Sequence, residues 1–187
     1  MGIMDEDYVA VIDGARLMNE NIYKRYRDKK TGKDGKYGAV VLLEKGKHDS
    51  LIESLRADIE TVRKAELDKP VAVANLCLRD GDQSGKDPAA GCWELSANSD
   101  NQPYLFDKDT PSKRLTSDDP HQCYRGCRVR VKVRFWAQDN EWGKRINAEL
   151  IGIQFRGDDE AFTSAAPMSA DEAAKGFEAS EAGDFGF

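Results

Sequence analysis

Residues 128–137 read RVRVKVRFWA and alternate between cationic and apolar side chains without a break. Successive side chains of a β-strand point to opposite faces of the sheet, so this pattern predicts a strand with two contrasting faces. One face carries Val129, Val131, Val133 and Phe135, and the other carries Arg128, Arg130, Lys132, Arg134 and Trp136. We expect the apolar face to lie in the core of the fold and the cationic face to lie outside it.

The cationic face has the composition of a surface that binds single-stranded nucleic acid. Alternate residues lie about 6.6 Å apart along a strand, similar to the phosphate repeat of an extended single strand, and an indole ring can stack on a base. No Asp or Glu occurs over residues 124–138, whereas a strand that merely faces solvent usually carries both signs of charge. We therefore predict binding that does not depend on base sequence, with a solvated strand face as the alternative.

A second basic segment, residues 21–37, interleaves aromatic and cationic side chains around the turn sequence TGKDGK. We expect a hairpin here that lies beside the 128–137 strand and extends its groove. The candidate binding residues of this hairpin are Tyr23, Lys24, Arg25, Tyr26 and Arg27. Trp93 is a further candidate for stacking on a base, with interior packing as the alternative.

The rest of the body predicts a small, closed or nearly closed β-barrel with one α-helix. The helix is predicted over residues 49–66, where apolar residues recur at helical spacing and Ser50 with Glu53 forms a capping-box pattern. An Asp13-Gly14 bulge is expected within the first strand. The further predicted strands cover residues 8–17, 37–43, 71–78, 92–98 and 146–155, with 104–106 as a small strand or a docked loop.

Residues 158–187 differ from the body in charge and hydrophobicity. They carry eight acidic groups and one lysine, a net charge of −7. The whole chain has a net charge of −6, so residues 1–157 carry +1. A segment with few apolar residues and a high net charge cannot bury enough surface to fold. The sequence therefore predicts one domain over residues 1–157 and a disordered acidic tail over residues 158–187.

Several other classes of protein are disfavoured. No apolar run reaches the length of a membrane span, and the acidic N-terminus does not have the form of a secretory signal, so we expect a cytoplasmic protein without a membrane partner. Thiols are therefore expected at Cys77, Cys92, Cys123 and Cys127. A zinc site built on His121, Cys123 and Cys127 is the alternative, but the CxxxC spacing differs from the usual CxxC and no second pair occurs.

We predict no enzymatic activity, no metal and no cofactor. Asp80, Asp82, Asp87 and Glu94 could hold Mg²⁺ for a nuclease, but no histidine or lysine arrangement supports it. No phosphate-binding loop or nucleophile–base set is present.

The motifs together resemble a family of phage-encoded single-stranded-DNA-binding proteins with an OB fold, formerly classed as a domain of unknown function. The resemblance covers about residues 8–157. It depends on YGAVVLLEK (37–45), RDGD (79–82), LSANSDNQP (95–103), YRGCRVRVKVRFWA (124–137) and INAELIGIQF (146–155). The chain departs most from the family in residues 99–122.

The resemblance implies an OB-type barrel that binds single-stranded DNA with little sequence preference, in the replication, recombination or repair of phage DNA. Such proteins commonly carry an acidic tail with an aromatic tip, and Asp184, Phe185 and Phe187 match that description. The tail is expected to compete with DNA and to recruit phage or host replication and recombination proteins. The alternatives are a protein–protein adaptor and an RNA-binding chaperone. No oligomeric state is predicted.

Overall fold

The computed structural model describes residues 8–109, 114–116, 119 and 123–162, with the side chain of Glu20 excepted. The described residues form seven strands, one α-helix and three short 3₁₀ turns. The strands and the helix are β1 (Val9–Asn21), β2 (Tyr37–Glu44), α1 (Asp49–Glu66), β3 (Leu78–Asp80), β4 (Cys92–Ser99), β5 (Tyr104–Phe106), β6 (Arg128–Asn140) and β7 (Gly143–Gly157).

Five of these strands close into a barrel in the order β1-β2-β4-β7-β6. Each neighbouring pair is antiparallel except β4 and β7, which meet in parallel where Asn98 lies opposite Glu149. A five-stranded, partly open barrel of this kind is an OB fold, and α1 is inserted between the second and third barrel strands. The predicted mainly β fold, a small OB-like barrel with one inserted helix, is therefore confirmed.

The alternation along residues 128–137 orients β6 as predicted. Val129, Val131, Val133 and Phe135 are at most 1% exposed, because each points into the barrel. The hairpin is longer than expected, since β6 and β7 remain paired as far as Asn140 and Gly143. Both strands of the hairpin bury apolar side chains in the core, and their pairing shifts register between Lys132 and Val133.

A bulge in β1 is confirmed at Asp13-Gly14. The pairing of β1 with β6 shifts register between Ile12 and Ala15, and Gly14 has a φ of +76°, a conformation that favours glycine. Because of the bulge, the residues of β1 before Asp13 and after Gly14 pair with β6 in different registers.

The bounds of α1 agree with the prediction, but the capping box does not form. His48 is the N-cap residue and makes no side-chain capping bond, so Ser50 lies inside the first turn. The carboxylate of Asp49 instead accepts a hydrogen bond from the Gly46 N–H at 2.8 Å. The helix therefore begins where it was predicted, with its N-cap two residues before the Ser50 of the capping-box pattern.

The strand predicted over residues 71–78 is wrong. Residues 73–75 form a 3₁₀ turn, Val73 is 67% exposed, and only residues 78–80 pair with β4. Before Leu78 the backbone makes single contacts with its neighbours, in which the Cys77 N–H donates to the Ile146 carbonyl and the Ser96 N–H donates to the Cys77 carbonyl, both at 2.9 Å, and these do not form a continuous ladder. In the described part of the chain, no helix is long and apolar enough to cross a membrane.

Candidate nucleic-acid interface

The Arg128 end of the outer β6 face is occupied by carboxylates. Both terminal nitrogens of Arg128 bond the Glu44 carboxylate, at 2.8 and 2.9 Å, and its Nε bonds Asp159 at 2.6 Å. The Arg128 guanidinium lowers the pKa of Glu44 to about 2. Arg130 is likewise paired with Asp13, whose pKa it lowers. Two of the four predicted cations are thus neutralised by acids from other parts of the chain.

The Trp136 end of the same face is more open. Lys132 is exposed and has no carboxylate within ion-pair distance among the described residues. Arg134 lies 3.6 Å from Glu149, with both side chains more than a third exposed, so solvent screens this pair. Trp136 is 41% exposed. These three side chains are available to a ligand.

Trp136 lines a groove of about 330 Å³ at the seam where β4 meets β7. Three cations from different elements share this groove: Lys36 from the segment before β2, Arg79 from β3 and Arg145 from β7. The groove is mainly polar, and Asn98 contributes to its lining. It therefore offers both ingredients of single-strand binding, positive charge for phosphates and a ring for a base.

Sequence patterns in the chain did not identify Lys36, Arg79 and Arg145 as site residues. Lys36 lies in the basic segment 21–37 but was not a candidate within it, whereas Arg79 and Arg145 lie outside the segments that combine cations with aromatic residues, and only the closure of the barrel brings the three together. The predicted OB fold could have indicated the region of the site, because OB barrels bind oligonucleotides on their second and third strands and the adjoining loops. Here those strands are β2 and β4.

Residues 22–36 form the predicted basic hairpin. Its strands are joined by bonds from the Tyr26 N–H to the Lys36 carbonyl (3.1 Å) and from the Gly35 N–H to the Tyr26 carbonyl (2.7 Å), and the Asp28 carboxylate closes the turn. Tyr26 is 53% exposed. All the cations of the hairpin are exposed: Lys24, Arg25, Arg27, Lys29, Lys30, Lys33 and Lys36.

The hairpin adjoins the groove through Lys36, which lines the groove together with Trp136. Arg25 is oriented at the hairpin base, where it donates to the Asp100 carbonyl at 2.6 Å and lies over the Tyr37 ring at 5.3 Å. The hairpin therefore adjoins the Trp136 end of β6 and not the whole row. Lys36 lines the groove, but the predicted candidates do not: Tyr23, Lys24, Arg25, Tyr26 and Arg27.

Two predicted aromatic candidates lie elsewhere. The Tyr23 hydroxyl accepts a hydrogen bond from the Cys123 N–H at 3.0 Å, and burial raises the pKa of Tyr23. Trp93 packs against the core on the inner side of β4, with Arg56 4.2 Å and Lys45 4.9 Å from its ring centre. The structure does not bring either ring into the groove with Trp136. A third indole, Trp142 at the tip of the β6–β7 hairpin, is 76% exposed.

The four cysteines are buried thiols, and burial raises the pKa of Cys77 to about 12. Within the described ranges no group of three His, Cys, Asp or Glu side chains is placed to hold a metal ion. His121, Asp184, Phe185 and Phe187 lie outside the described residues.

Comparison with known proteins identifies the family. A family model described as Enterobacter phage Enc34, ssDNA-binding protein, matches residues 9–185. A putative protein p50 of Acyrthosiphon pisum secondary endosymbiont phage 1 is 35% identical over 150 residues, spanning 73% of this chain and 77% of that protein. The chain therefore belongs to the Enc34 ssDNA-binding family.

Solved structures agree with this assignment. The single-stranded DNA-binding protein from bacteriophage Enc34 in complex with ssDNA aligns with a TM-score of 0.76 and 28% identity, covering 84% of this chain and 91% of that one. A C-terminal truncation of the Enc34 protein aligns at 0.74 with 29% identity, over 84% and 90%. The single-stranded DNA binding protein encoded by bacteriophage T7, at 0.52 and 13%, shares the fold.

Proposed function

We propose that this member of the Enc34 family binds single-stranded DNA without reading its sequence. The observation that carries the proposal is the groove at the β4–β7 seam, where cations from three elements surround an exposed indole. Phosphates would contact the cations, and a base would stack on Trp136. Every base has a face that can stack, so such a site tolerates any sequence.

The proposed DNA-contacting surface combines predicted residues with those that the fold adds. It comprises Lys24, Arg25, Tyr26, Arg27, Lys132, Arg134 and Trp136, together with Lys36, Arg79 and Arg145. Arg128 and Arg130 are already paired with carboxylates, so they contribute less charge to this surface than their number suggests.

A titration with fluorescent oligo-dT at two salt concentrations tests the proposal, with duplex DNA and oligo-U as comparisons. Each phosphate contact on a single strand contributes about 0.7 to the slope of log K against log[salt], so four contacts give about −2.8. We expect that slope or a steeper one, and weaker binding of the duplex. A slope near zero contradicts the proposed groove, and equal or tighter binding of oligo-U would favour an RNA-binding role.

We further propose that the protein acts in phage DNA replication, recombination or repair, with residues 1–157 as the binding domain and residues 158–187 as an acidic tail. Residues 163–187 carry five acidic groups, one lysine and three phenylalanines. A tethered polyanion has a high effective concentration near the cationic groove and competes with DNA. Asp184, Phe185 and Phe187 would bind replication or recombination proteins.

Two variants separate these roles of the tail. Deletion of residues 163–187 is expected to raise the affinity for oligo-dT, most clearly at low salt, where screening is weak. Phe187→Ala keeps the acidic groups and is expected to leave DNA affinity unchanged while weakening the pull-down of replication enzymes. Unchanged DNA affinity after the deletion would contradict competition, and an intact pull-down with Phe187→Ala would contradict recruitment through the tip.

A further inference from the structure

Residues 158–162, which follow β7, lie against the barrel and are called the strap here. The Asp159 carboxylate contacts two guanidinium groups, Arg128 Nε at 2.6 Å and Arg16 Nε at 3.5 Å. Arg16 also donates to the Glu160 carbonyl at 2.5 Å, and its Cζ lies 4.2 Å from the centre of the Phe162 ring. The strap therefore places a carboxylate and an aromatic ring on a pair of arginines.

The surface beneath the strap is shaped to receive it. Gly126 has a φ of +108°, and a Cβ there would lie 2.3 Å from the Glu160 carbonyl oxygen, so only glycine permits this approach. The Tyr124 hydroxyl accepts a hydrogen bond from the Asp159 N–H at 3.1 Å, and the Phe162 N–H donates to the Arg125 carbonyl at 3.0 Å. Tyr124, Gly126 and Arg128 of this sequence therefore contact the strap, and they do not line the groove.

The Phe162 ring lies on an apolar bed on the outside of β1 and β2. Met18, Val40 and Leu42 belong to this bed. Val40 lies opposite Ser96 of β4, and Ser96 lines the groove, so the bed and the groove share one outer surface of the barrel. Arg16 lies opposite Leu42 of the bed on one side and opposite Arg128 on the other, and Arg128 begins the cationic row of β6 that ends at Trp136.

The groups on the strap correspond to the parts of a nucleotide. A carboxylate between two arginines stands where a phosphate would bind, and a ring between a guanidinium and an apolar bed stands where a base would stack. We infer that this surface is a second nucleotide subsite, filled by the chain's own Asp159 and Phe162, and that single-stranded DNA displaces the strap from it. This inference rests on the proposed function, and it adds a binding site at the end of β6 remote from the groove.

The exchange preserves local charge. Two cations, Arg16 and Arg128, face two carboxylates, Glu44 and Asp159. A phosphate that replaces Asp159 restores the same balance, while Glu44 keeps both of its bonds to Arg128. The strap alone leaves, because Asp159 lies outside the strands and Glu44 is fixed within β2.

Amide hydrogen exchange on the full chain tests the displacement directly. Without DNA, the N–H groups of Asp159 and Phe162 are expected to be protected by their bonds to Tyr124 and Arg125. Saturating oligo-dT long enough to extend beyond the groove should abolish this protection and leave that of β6 intact. If oligo-dT saturates the protein and the strap stays protected, the inference is wrong although the proposed function stands. If oligo-dT does not bind, the proposed function itself fails.

Two variants with the same charge change provide the matched test. Asp159→Asn weakens the competitor of DNA at the two arginines, and we expect oligo-dT to bind about tenfold tighter, the equivalent of one charge-assisted hydrogen bond. Glu160→Gln removes the same charge one residue later, where the side chain is exposed and it is the backbone carbonyl that contacts Arg16. It should change affinity less than twofold. Equal effects of the two variants would overturn the inference, and if Asp159→Asn does not fold, the exchange experiment on the unmodified chain decides.

Discussion

The two ends of β6 carry the same kinds of side chain on their outer face but have different surroundings. At one end, Arg128 bonds two carboxylates and Arg130 bonds a third. At the other end, Lys132 and Trp136 are exposed and the indole lines a groove. The acids come from β1, β2 and the strap, which are remote from β6 in sequence. The number of cations on a strand therefore does not measure the charge that it offers to a ligand.

The largest effect is expected from Arg128→Ala, because it removes the guanidinium that bonds both Glu44 and Asp159 and leaves each carboxylate with one more distant cation, Lys47 or Arg16, at 3.5 Å. We expect the free energy of unfolding to fall by about 2–3 kcal/mol, as for charge-assisted hydrogen bonds that are partly buried. Urea denaturation measures the change. Lys132→Ala on the same face is the control and should cost less than about 0.5 kcal/mol. Similar losses from both variants would remove the difference between the two ends.

Trp136→Ala is expected to act on binding and not on stability. Loss of one stacked base costs about 1–3 kcal/mol of affinity, and the exposed position of Trp136 predicts an unchanged melting temperature. Fluorescence titration with oligo-dT and a thermal melt measure the two quantities. Trp93→Ala is the comparison and should lower the melting temperature instead, because Trp93 packs against the core. If Trp93→Ala weakened binding and Trp136→Ala lowered the melting temperature, Trp93 and not Trp136 would be the ring that stacks on a base.

A smaller effect is expected when single cations of the row are compared. Lys132→Ala should reduce the steepness of the salt dependence by about 0.7, the contribution of one phosphate contact. Arg130→Ala should change it less, because Asp13 already neutralises Arg130. Binding isotherms at four salt concentrations give both slopes. Equal reductions would show that the ion pair opens when DNA binds.

The smallest effect concerns pH and appears only in acid. The pKa of Glu44 is lowered to about 2, so its stabilising pair with Arg128 is fully present above the ordinary value of 4.5 and is lost as the pH falls toward 2. We expect the stability difference between the unmodified chain and Glu44→Gln to be constant from pH 8 to 5 and to shrink below about 4.5. A difference that already changes between pH 7 and 5 would contradict this assignment.

The features that could be predicted from sequence are those whose cause is local. Alternation over residues 128–137 predicted both faces of β6, and apolar spacing over residues 49–66 predicted α1, because side-chain direction follows directly from strand and helix geometry. The strand predicted over residues 71–78 was wrong because strand formation also depends on a neighbour that is distant in sequence. An apolar run becomes a strand only where a neighbour continues a ladder of hydrogen bonds along it, and β4 pairs in register with residues 78–80.

By itself, the sequence determined that the chain has a β-rich body with one helix, an outward cationic strand and a basic hairpin, since each follows from the order of residues along a short segment. Only the tertiary structure decided which cations are available. Barrel closure brings Lys36, Arg79 and Arg145 together around Trp136, and the same closure brings carboxylates to Arg128 and Arg130. Coulomb interactions depend on distance in space and not on separation along the chain, so the charge of the site is a property of the folded molecule.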